Sequence, residues 1–330
     1  MFKYDTLNTE ELIEKYESPI ITSKHKWSSD PVPDFWERLP EKIIDPRTKK
    51  EVKLSQSLIK NFIKHIEGEL CGLRFYRTTV TREFEEHFAA AKFGHRFEFL
   101  VTGEPGRNGE GQKPFVNVSK KKATKKQIEE GSPEYIVTEK PSAQELRIRA
   151  DASVAKEVLE QFNGKRWKSG VKVSIKSLEG TKDVVSNRKN YVIVTDLKYS
   201  GLLGESWGEL SWPDDISDKV SHMTQATHYT LLAEKHYGKR VKFYFLVFSN
   251  KKDTSNGVEV FGKYQPYEVR VSEKAMNRHK NMILDLAEQM ERKLKGKEFN
   301  AIPSFHGCKK CPITTCKKRI DQPEIIVTEI

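Results

Sequence analysis

The segment Tyr191-Val192-Ile193-Val194-Thr195-Asp196-Leu197-Lys198 decides how the rest of the chain is interpreted. Its first four residues form a continuous apolar run, which is typical of a strand buried on both faces. Residues two apart in a strand face the same side, so Asp196 and Lys198 are expected together at the end of this strand. A plain surface ion pair is the alternative interpretation, because such pairs are common and stabilise little.

A second acidic residue is expected beside this strand. Asp183 precedes turn-forming residues at positions 186–190, which predict a hairpin that returns alongside Asp196. Two carboxylates that lie close together repel each other and favour a divalent cation between them. Mg²⁺ or Mn²⁺ held by carboxylates is a usual arrangement for hydrolysis of phosphodiesters. Asp151 is a rival for Asp183, but the apolar period around Asp151 is helical, so we prefer Asp183.

Three further polar residues are candidates for the same site. Glu98 lies late in a helix predicted over residues 83–100, and a solvated helix glutamate is the alternative interpretation. Gln225 and Tyr229 are four residues apart on a helix predicted around residues 223–237, so they share one face. Ordinary helix packing would also explain these two residues.

The remaining pattern alternates between helices and strands, which favours a mixed α/β fold around a central sheet. Residues 1–54 carry several prolines and no long apolar period, so we expect an N-terminal appendage followed by a main domain at residues 55–330. Other helices are predicted from residue 54 towards residue 71, over 142–162 and over 273–295, and other strands over 171–175, 241–248 and 258–271.

The net charge of +11 suits a polyanionic partner, with nucleic acid favoured over an anionic membrane. A lysine-rich segment at residues 120–126 contributes to this charge. No stretch approaches the length that a membrane span needs, and no secretory signal is recognisable, so a cytoplasmic protein without a membrane partner is expected.

The four cysteines form a possible metal site. The spacing of Cys308, Cys311 and Cys316 is typical of thiolates that bind zinc or an iron–sulfur cluster, and Cys71 would complete the set from far upstream. A zinc ribbon usually brings two local pairs of cysteines, which this chain lacks.

Four motifs follow one another along the chain: Gly-x-x-x-Glu98, Gly180-x-x-Asp183, Asp196-x-Lys198 and Gln225-x-x-x-Tyr229. This ordered set resembles the RecB-like branch of the PD-(D/E)XK nucleases, and residues 196–202 look like its phage-type members. The resemblance implies a restriction-endonuclease-like core with a central mixed sheet flanked by helices. It also implies that Glu98, Asp183, Asp196 and the Leu197 carbonyl bind Mg²⁺ or Mn²⁺. Lys198 would orient the attacking water or stabilise the charge that develops on the phosphate, and Gln225 and Tyr229 would brace the site or contact DNA. Many relatives place a histidine in the first motif, so His95 or His87 remains an alternative to Glu98.

The cysteine arrangement is similar to the iron–sulfur nucleases of the AddB and CRISPR-associated exonuclease type, which implies a structural [4Fe–4S] cluster, with zinc as the alternative. The expected function is a metal-dependent exonuclease on DNA ends or single strands in recombination or end-processing. A separate helicase or recombination protein is a further expected partner, because no Gly-x-x-x-x-Gly-Lys-[Ser/Thr] motif for unwinding occurs. The alternatives are an inactive or regulatory iron–sulfur protein that binds nucleic acid, and an RNA-directed nuclease.

Overall fold

The computed structural model describes residues 26–84, 89–106, 109–122, 124, 135–255, 258–302, 304–309 and 311–320. A five-stranded sheet forms its centre. Its strands are β5 (Lys168–Ile175), β6 (Leu178–Asn187), β7 (Tyr191–Ser200), β8 (Arg240–Ser249) and β11 (Tyr264–Val269). They lie in the order β11-β8-β7-β6-β5, in which β7 and β8 run parallel and the other neighbours are antiparallel.

Helices cover both faces of this sheet, and short two-stranded ribbons lie outside it. The helices are α1 (Phe35–Arg38), α2 (Gln56–Ile66), α3 (Gly72–Phe75), α4 (Ala89–Thr102), α5 (Ala143–Asn163), α6 (Val220–Tyr237), α7 (Glu273–Gly296) and α8 (Phe305–Lys309). The ribbons pair β1 (Ile43–Ile44) with β2 (Glu51–Val52), β3 (Val116–Lys122) with β4 (Tyr135–Pro141), and β9 (Asp253–Ser255) with β10 (Val258–Val260).

The hydrophobic core is divided by the sheet. On one face α4 and α5 contribute Phe97 and Ile148 to a buried cluster with Leu197 of β7. On the other face α6 contributes Ala226 to a cluster with Val194 of β7. The strand β7 is therefore buried on both sides, as its apolar run predicts. In the part of the chain that is described, no helix is both long and apolar enough to cross a membrane.

Several predicted helix boundaries are confirmed by their caps. Ser55 precedes α2 and accepts a hydrogen bond from the Leu58 N–H, and Ser142 precedes α5 and accepts one from the Glu145 N–H. Each serine satisfies a backbone donor that the first helical turn leaves unpaired. The helix α5 ends at Asn163, and Gly164 follows it as the C-cap residue with a φ of +66°.

Two predicted elements are wrong in extent. The helix predicted over residues 83–100 is described from Ala89 to Thr102, and residues 85–88 lie outside the described residues. Glu83 is not helical: its N–H donates to the Arg77 carbonyl, and its carboxylate pairs with the Arg77 side chain. The strand predicted over residues 258–271 is divided into β10 and β11. Gly262 lies between them with a φ of +68°, and its N–H donates to the Asp151 carboxylate instead of to a neighbouring strand.

The described part of the N-terminal segment packs against the main domain. Phe35, Leu39 and Leu54 are buried in one cluster with Phe62 of α2 and residues of α7. The Trp27 indole donates to the Asp285 carboxylate of α7 at 2.8 Å. A domain boundary at residue 54 stays a prediction.

The lysine-rich segment falls partly on the ribbon formed by β3 and β4. Lys120, Lys121 and Lys122 lie on β3, and all residues of this strand are exposed. Lys125 and Lys126 lie outside the described residues.

Asp151 holds neighbouring elements together. Its carboxylate is buried, and it accepts hydrogen bonds from the Tyr199 hydroxyl at 2.7 Å and from the Gly262 N–H at 2.6 Å. Arg147, one helical turn away, forms an ion pair with it. These contacts satisfy the carboxylate within the core and explain why an acidic residue is tolerated there.

A second buried ion pair fixes α4 against α5. The Arg96 guanidinium donates to both oxygens of the Glu145 carboxylate, and both side chains are almost completely buried. Glu145 also accepts from Arg149 at 2.7 Å and from the Phe115 N–H at 3.1 Å. Burial raises the pKa of Glu145, but the hydrogen bonds from Arg96, Arg149 and Phe115 outweigh it, so the pKa lies below its usual value.

Replacing Glu145 with alanine is expected to lower the free energy of unfolding by about 3–5 kcal/mol, because it leaves the buried Arg96 guanidinium unpaired. Arg149→Ala is the matched control. Arg149 binds the same carboxylate, but its side chain is 47% exposed, so its loss should cost under about 1 kcal/mol. Urea unfolding followed by circular dichroism measures both values. Equal costs for the two variants would contradict this account of the α4–α5 contact.

Candidate active site

The hairpin formed by β6 and β7 places Asp183 beside Asp196. The ladder pairs Val184 with Thr195, and the next residue on each strand is one of the two aspartates. The Asp183 carboxylate accepts the Leu197 N–H at 2.8 Å. The Asp196 carboxylate accepts the Gln225 side-chain amide at 2.7 Å and forms an ion pair with the Lys198 ammonium.

The position of Asp183 depends on an irregularity in the sheet. Val184 packs under α4 and α5, whereas the Lys182 ammonium lies 5.7 Å from the centroid of the Tyr229 ring on the opposite face. Residues two apart in a regular strand share a face, so β6 changes face at Asp183. Gly170 lies opposite Asp183 between two regular pairs of the β5–β6 ladder, with a φ of +57° that suits glycine. Such irregularities often redirect a side chain next to an active site.

Glu98 is the third carboxylate at this point. It lies on α4, and burial followed by the charge of Asp196 raises its pKa to about 6. Burial, Asp196 and then Glu98 raise the pKa of Asp183 well above its ordinary value. Burial also raises the pKa of Asp196, although Lys198 opposes this effect. The three acids therefore influence one another, as expected of carboxylates that share one site.

Lys198 is the cation that faces these acids. Burial alone would lower its pKa, but the charges of Asp196, Asp183 and Glu98 raise it above its usual value. Lys198 is therefore an ammonium group at neutral pH. One ammonium cannot neutralise three carboxylates, so the donor set fits a divalent cation.

The residues on α6 are placed as the helical spacing predicts. Gln225 binds Asp196 directly, whereas Tyr229 is buried deeper against β6. Burial and then the charges of Asp196 and Asp183 raise the pKa of Tyr229, which keeps its hydroxyl protonated. Gly180 allows this approach, because a Cβ there would lie 2.8 Å from Leu232 and 3.1 Å from the Tyr229 ring.

The structure describes only one of the two histidines that are alternatives to Glu98. His95 Nδ1 lies 3.4 Å from a carboxylate oxygen of Glu110, on the loop that follows α4. His87 lies outside the described residues.

Two clefts meet beside these residues. One has a volume of about 450 Å³ and is lined by Lys198, Gln225 and Lys60, and the other has about 470 Å³ and is lined by Tyr229. Gln56 and Ser57, at the start of α2, line both. Sequence reasoning missed the α2 residues, because the polar face of an amphipathic helix does not reveal whether it borders water or a cleft.

The four cysteines line a single cavity of about 100 Å³, and each of them is a free thiol. Cys71 precedes α3, and its sulfur accepts the Ile302 N–H at 3.4 Å. Gly72 permits close packing here, because a Cβ would lie 2.7 Å from the Asn300 carbonyl oxygen. The other three cysteines lie on and after α8.

Over the described residues, no three or more His, Cys, Asp or Glu side chains form a group that could hold a metal ion. The donor types nevertheless fit the expected metals, since carboxylates suit Mg²⁺ or Mn²⁺ and thiolates suit an iron–sulfur cluster or zinc.

The family model of the PD-(D/E)XK nuclease superfamily matches residues 65–316, which include every candidate active-site residue and all four cysteines. No curated protein sequence matches the chain.

Two solved structures are similar to this chain. A candidate exonuclease from Eubacterium rectale is 13% identical, with 74% of this chain and 82% of that chain covered and a TM-score of 0.43. The protein SSO0001 is 16% identical, with 52% and 71% covered and a TM-score of 0.27. The family match spans most of the chain, and the mixed sheet flanked by helices that the chain forms is the fold of that family. The chain therefore belongs to the PD-(D/E)XK nuclease superfamily.

Proposed function

We propose that this nuclease is a metal-dependent deoxyribonuclease of the RecB-like, phage-type branch, and that it acts as an exonuclease on DNA ends or single strands in recombination or end-processing. The observation that supports this function is the group of three mutually repelling carboxylates facing Lys198 at the end of β7. Superfamily membership alone implies cleavage of phosphodiester bonds, whereas the metal, the substrate and the role are parts of the proposal.

Glu98, Asp183, Asp196 and the Leu197 carbonyl would hold Mg²⁺ or Mn²⁺. The cation would supply Lewis-acid polarisation of the phosphate. Lys198 can orient an attacking water or stabilise the negative charge that develops on the phosphate, because its ammonium lies beside Asp196. Gln225 fixes the orientation of the Asp196 carboxylate through its hydrogen bond. Tyr229 lies on the same face of α6 as Gln225 and packs beside Gly180 of β6, next to the acids.

DNA is proposed as the substrate because the chain carries a net charge of +11 and the clefts are lined by Lys60, Lys198 and Arg82. Cationic side chains bind phosphates and release counterions. A regulatory protein without catalysis is the alternative, but the complete set of acids with one lysine favours an enzyme. An RNA-directed nuclease is the second alternative, and it is distinguished by whether the protein cleaves RNA or DNA.

The cysteines are proposed to bind a [4Fe–4S] cluster that joins the two ends of the nuclease domain, with zinc as the alternative. The common cavity supports this arrangement, since Cys71 and the other three cysteines are far apart in sequence but line the same space. A crosslink that closes so long a loop removes conformational entropy from the unfolded chain.

The proposed function is tested by incubating the protein with end-labelled single-stranded and double-stranded DNA and with RNA of the same sequence. We expect cleavage of DNA with Mg²⁺ or Mn²⁺ and none with excess chelator, because the carboxylates alone do not activate the phosphate. Products released from a labelled end identify exonuclease action. Cleavage that persists in chelator would contradict the metal-dependent mechanism, and cleavage of RNA alone would contradict the proposed substrate.

Replacing each of the two rival aspartates with alanine separates a catalytic role from a role in stability. Asp183→Ala should slow cleavage by on the order of 10⁴-fold with little loss of stability, because it removes a metal-binding carboxylate. Asp151→Ala should lower the free energy of unfolding by about 3 kcal/mol, because it leaves Arg147 and the Gly262 N–H unsatisfied. Its folded fraction should cleave at the wild-type rate. Cleavage rates and urea unfolding of both variants measure this, and the reverse pattern would show that Asp151 is the catalytic acid.

Anaerobically purified protein is expected to be brown, to absorb near ~400 nm and to contain iron and sulfide. Cys71→Ser should lose the cluster and much of the stability of the domain. Ile302→Ala is the matched control, since Ile302 lines the same cavity but is 56% exposed and has no thiol. If the protein contains zinc and no iron, the iron–sulfur cluster is excluded, but a metal crosslink between the two ends of the domain is retained. Full metal content and stability in Cys71→Ser would exclude the crosslink itself.

A further inference from the structure

The loop that follows β7 exposes a tryptophan to water. Trp207 is 88% exposed, more than any other large hydrophobic side chain among the described residues. Burying a large aromatic side chain is worth about 1.5–3 kcal/mol, and Trp207 contributes almost none of this to the fold. A function outside the fold would explain why a tryptophan stands at this position.

The backbone on both sides of Trp207 is held in place. The Lys219 ammonium, itself buried, donates to the Ser206 carbonyl at 3.2 Å. The Glu209 carboxylate accepts the Ser221 N–H at 2.6 Å, at the start of α6. Trp207 is therefore presented by an anchored loop, so its ring is available at little cost in conformational entropy.

The same loop forms a wall of the cleft that contains the candidate catalytic lysine. Leu210, three residues after Trp207, lines this cleft together with Lys198 and Gln225. Lys60 of α2 lies on the cleft as well and donates to the Ser221 hydroxyl at 2.5 Å. Cationic groups along a groove combined with an aromatic side chain are the usual elements of a surface that binds single-stranded nucleic acid.

The depth of the acidic cluster points in the same direction. Asp196 is only 2% exposed, so a phosphate has to enter the cleft to reach it. A strand that is separated from its complement is narrower than a duplex and carries bases with free faces. In a duplex, neighbouring bases already cover these faces, and a base must leave the stack before it can be bound.

We propose that Trp207 stacks on an unpaired nucleobase and thereby selects a single strand as the form of nucleic acid that enters the catalytic cleft. The inference rests on the proposed function and specifies its substrate class. Trp207 acts through binding and takes no part in the chemical step. Stacking of one base on an aromatic ring contributes about 1–3 kcal/mol and tolerates any sequence.

The experiment measures binding of a labelled single-stranded oligonucleotide and of a duplex of the same sequence, with chelator present to prevent cleavage. Trp207→Ala should raise the Kd for the single strand by about 5- to 150-fold, which corresponds to about 1–3 kcal/mol, and should leave the Kd for the duplex unchanged. Trp207→Phe should retain part of the affinity, because phenylalanine still stacks. The melting temperature should not change, since Trp207 is exposed.

Ile44→Ala is the matched control. Ile44 is 46% exposed but lies on β1, whereas Trp207 shares its loop with Leu210 of the cleft, so removal of the Ile44 side chain should affect neither Kd. An unchanged single-strand Kd in Trp207→Ala, or an equal loss for duplex and single strand, would overturn the stacking role while the cleavage assay still supports a nuclease. A wild-type protein that neither binds nor cleaves DNA would overturn the proposed function and this inference together.

Discussion

Glu98, Asp183 and Asp196 approach one another at the end of β7, where burial raises the pKa of each carboxyl group and the neighbouring acids raise the pKa of Glu98 and Asp183 further. Lys198 offsets part of this repulsion and is held charged by it. Such a group costs stability unless a cation or a proton joins it. The surrounding structure is organised so that these side chains are held in place despite that cost.

Each carboxylate has its own support. The Leu197 N–H fixes Asp183, and the Gln225 amide fixes Asp196. The position of Glu98 depends on α4. Arg96, two residues earlier on this helix, forms a buried ion pair with Glu145 of α5, which holds α4 against α5. The site is therefore supported from both faces of the sheet, which is the arrangement that keeps catalytic groups at a fixed geometry.

Much of this arrangement follows from local sequence patterns. The apolar run before Asp196 predicts the central strand, the residues at 186–190 predict the hairpin, and the spacing of Gln225 and Tyr229 predicts a shared helical face. The helices predicted from residue 54 and over residues 142–162 are present as α2 and α5, each preceded by a serine that caps it. These features are local, because they depend on residues close together in the chain.

Features that depend on distant contacts were not predictable in this way. The change of face at Asp183 lies opposite Gly170 on the neighbouring strand, which has a φ of +57°, and the break before β11 coincides with the hydrogen bond from the Gly262 N–H to Asp151. The position of α2 along the clefts likewise follows from packing between elements. No periodicity within a single segment carries this information.

The claim that the acidic cluster requires a cation is tested most directly by thermal unfolding of the wild-type protein and of Asp183→Asn. In chelator, Asp183→Asn should be the more stable of the two, because asparagine still accepts the Leu197 N–H but removes one repelling charge. Mn²⁺ at about 100 times its Kd should stabilise the wild-type protein by about 2.7 kcal/mol, and it should stabilise the variant much less. A wild-type melting temperature that does not respond to Mn²⁺, together with a variant that is less stable in chelator, would contradict the account.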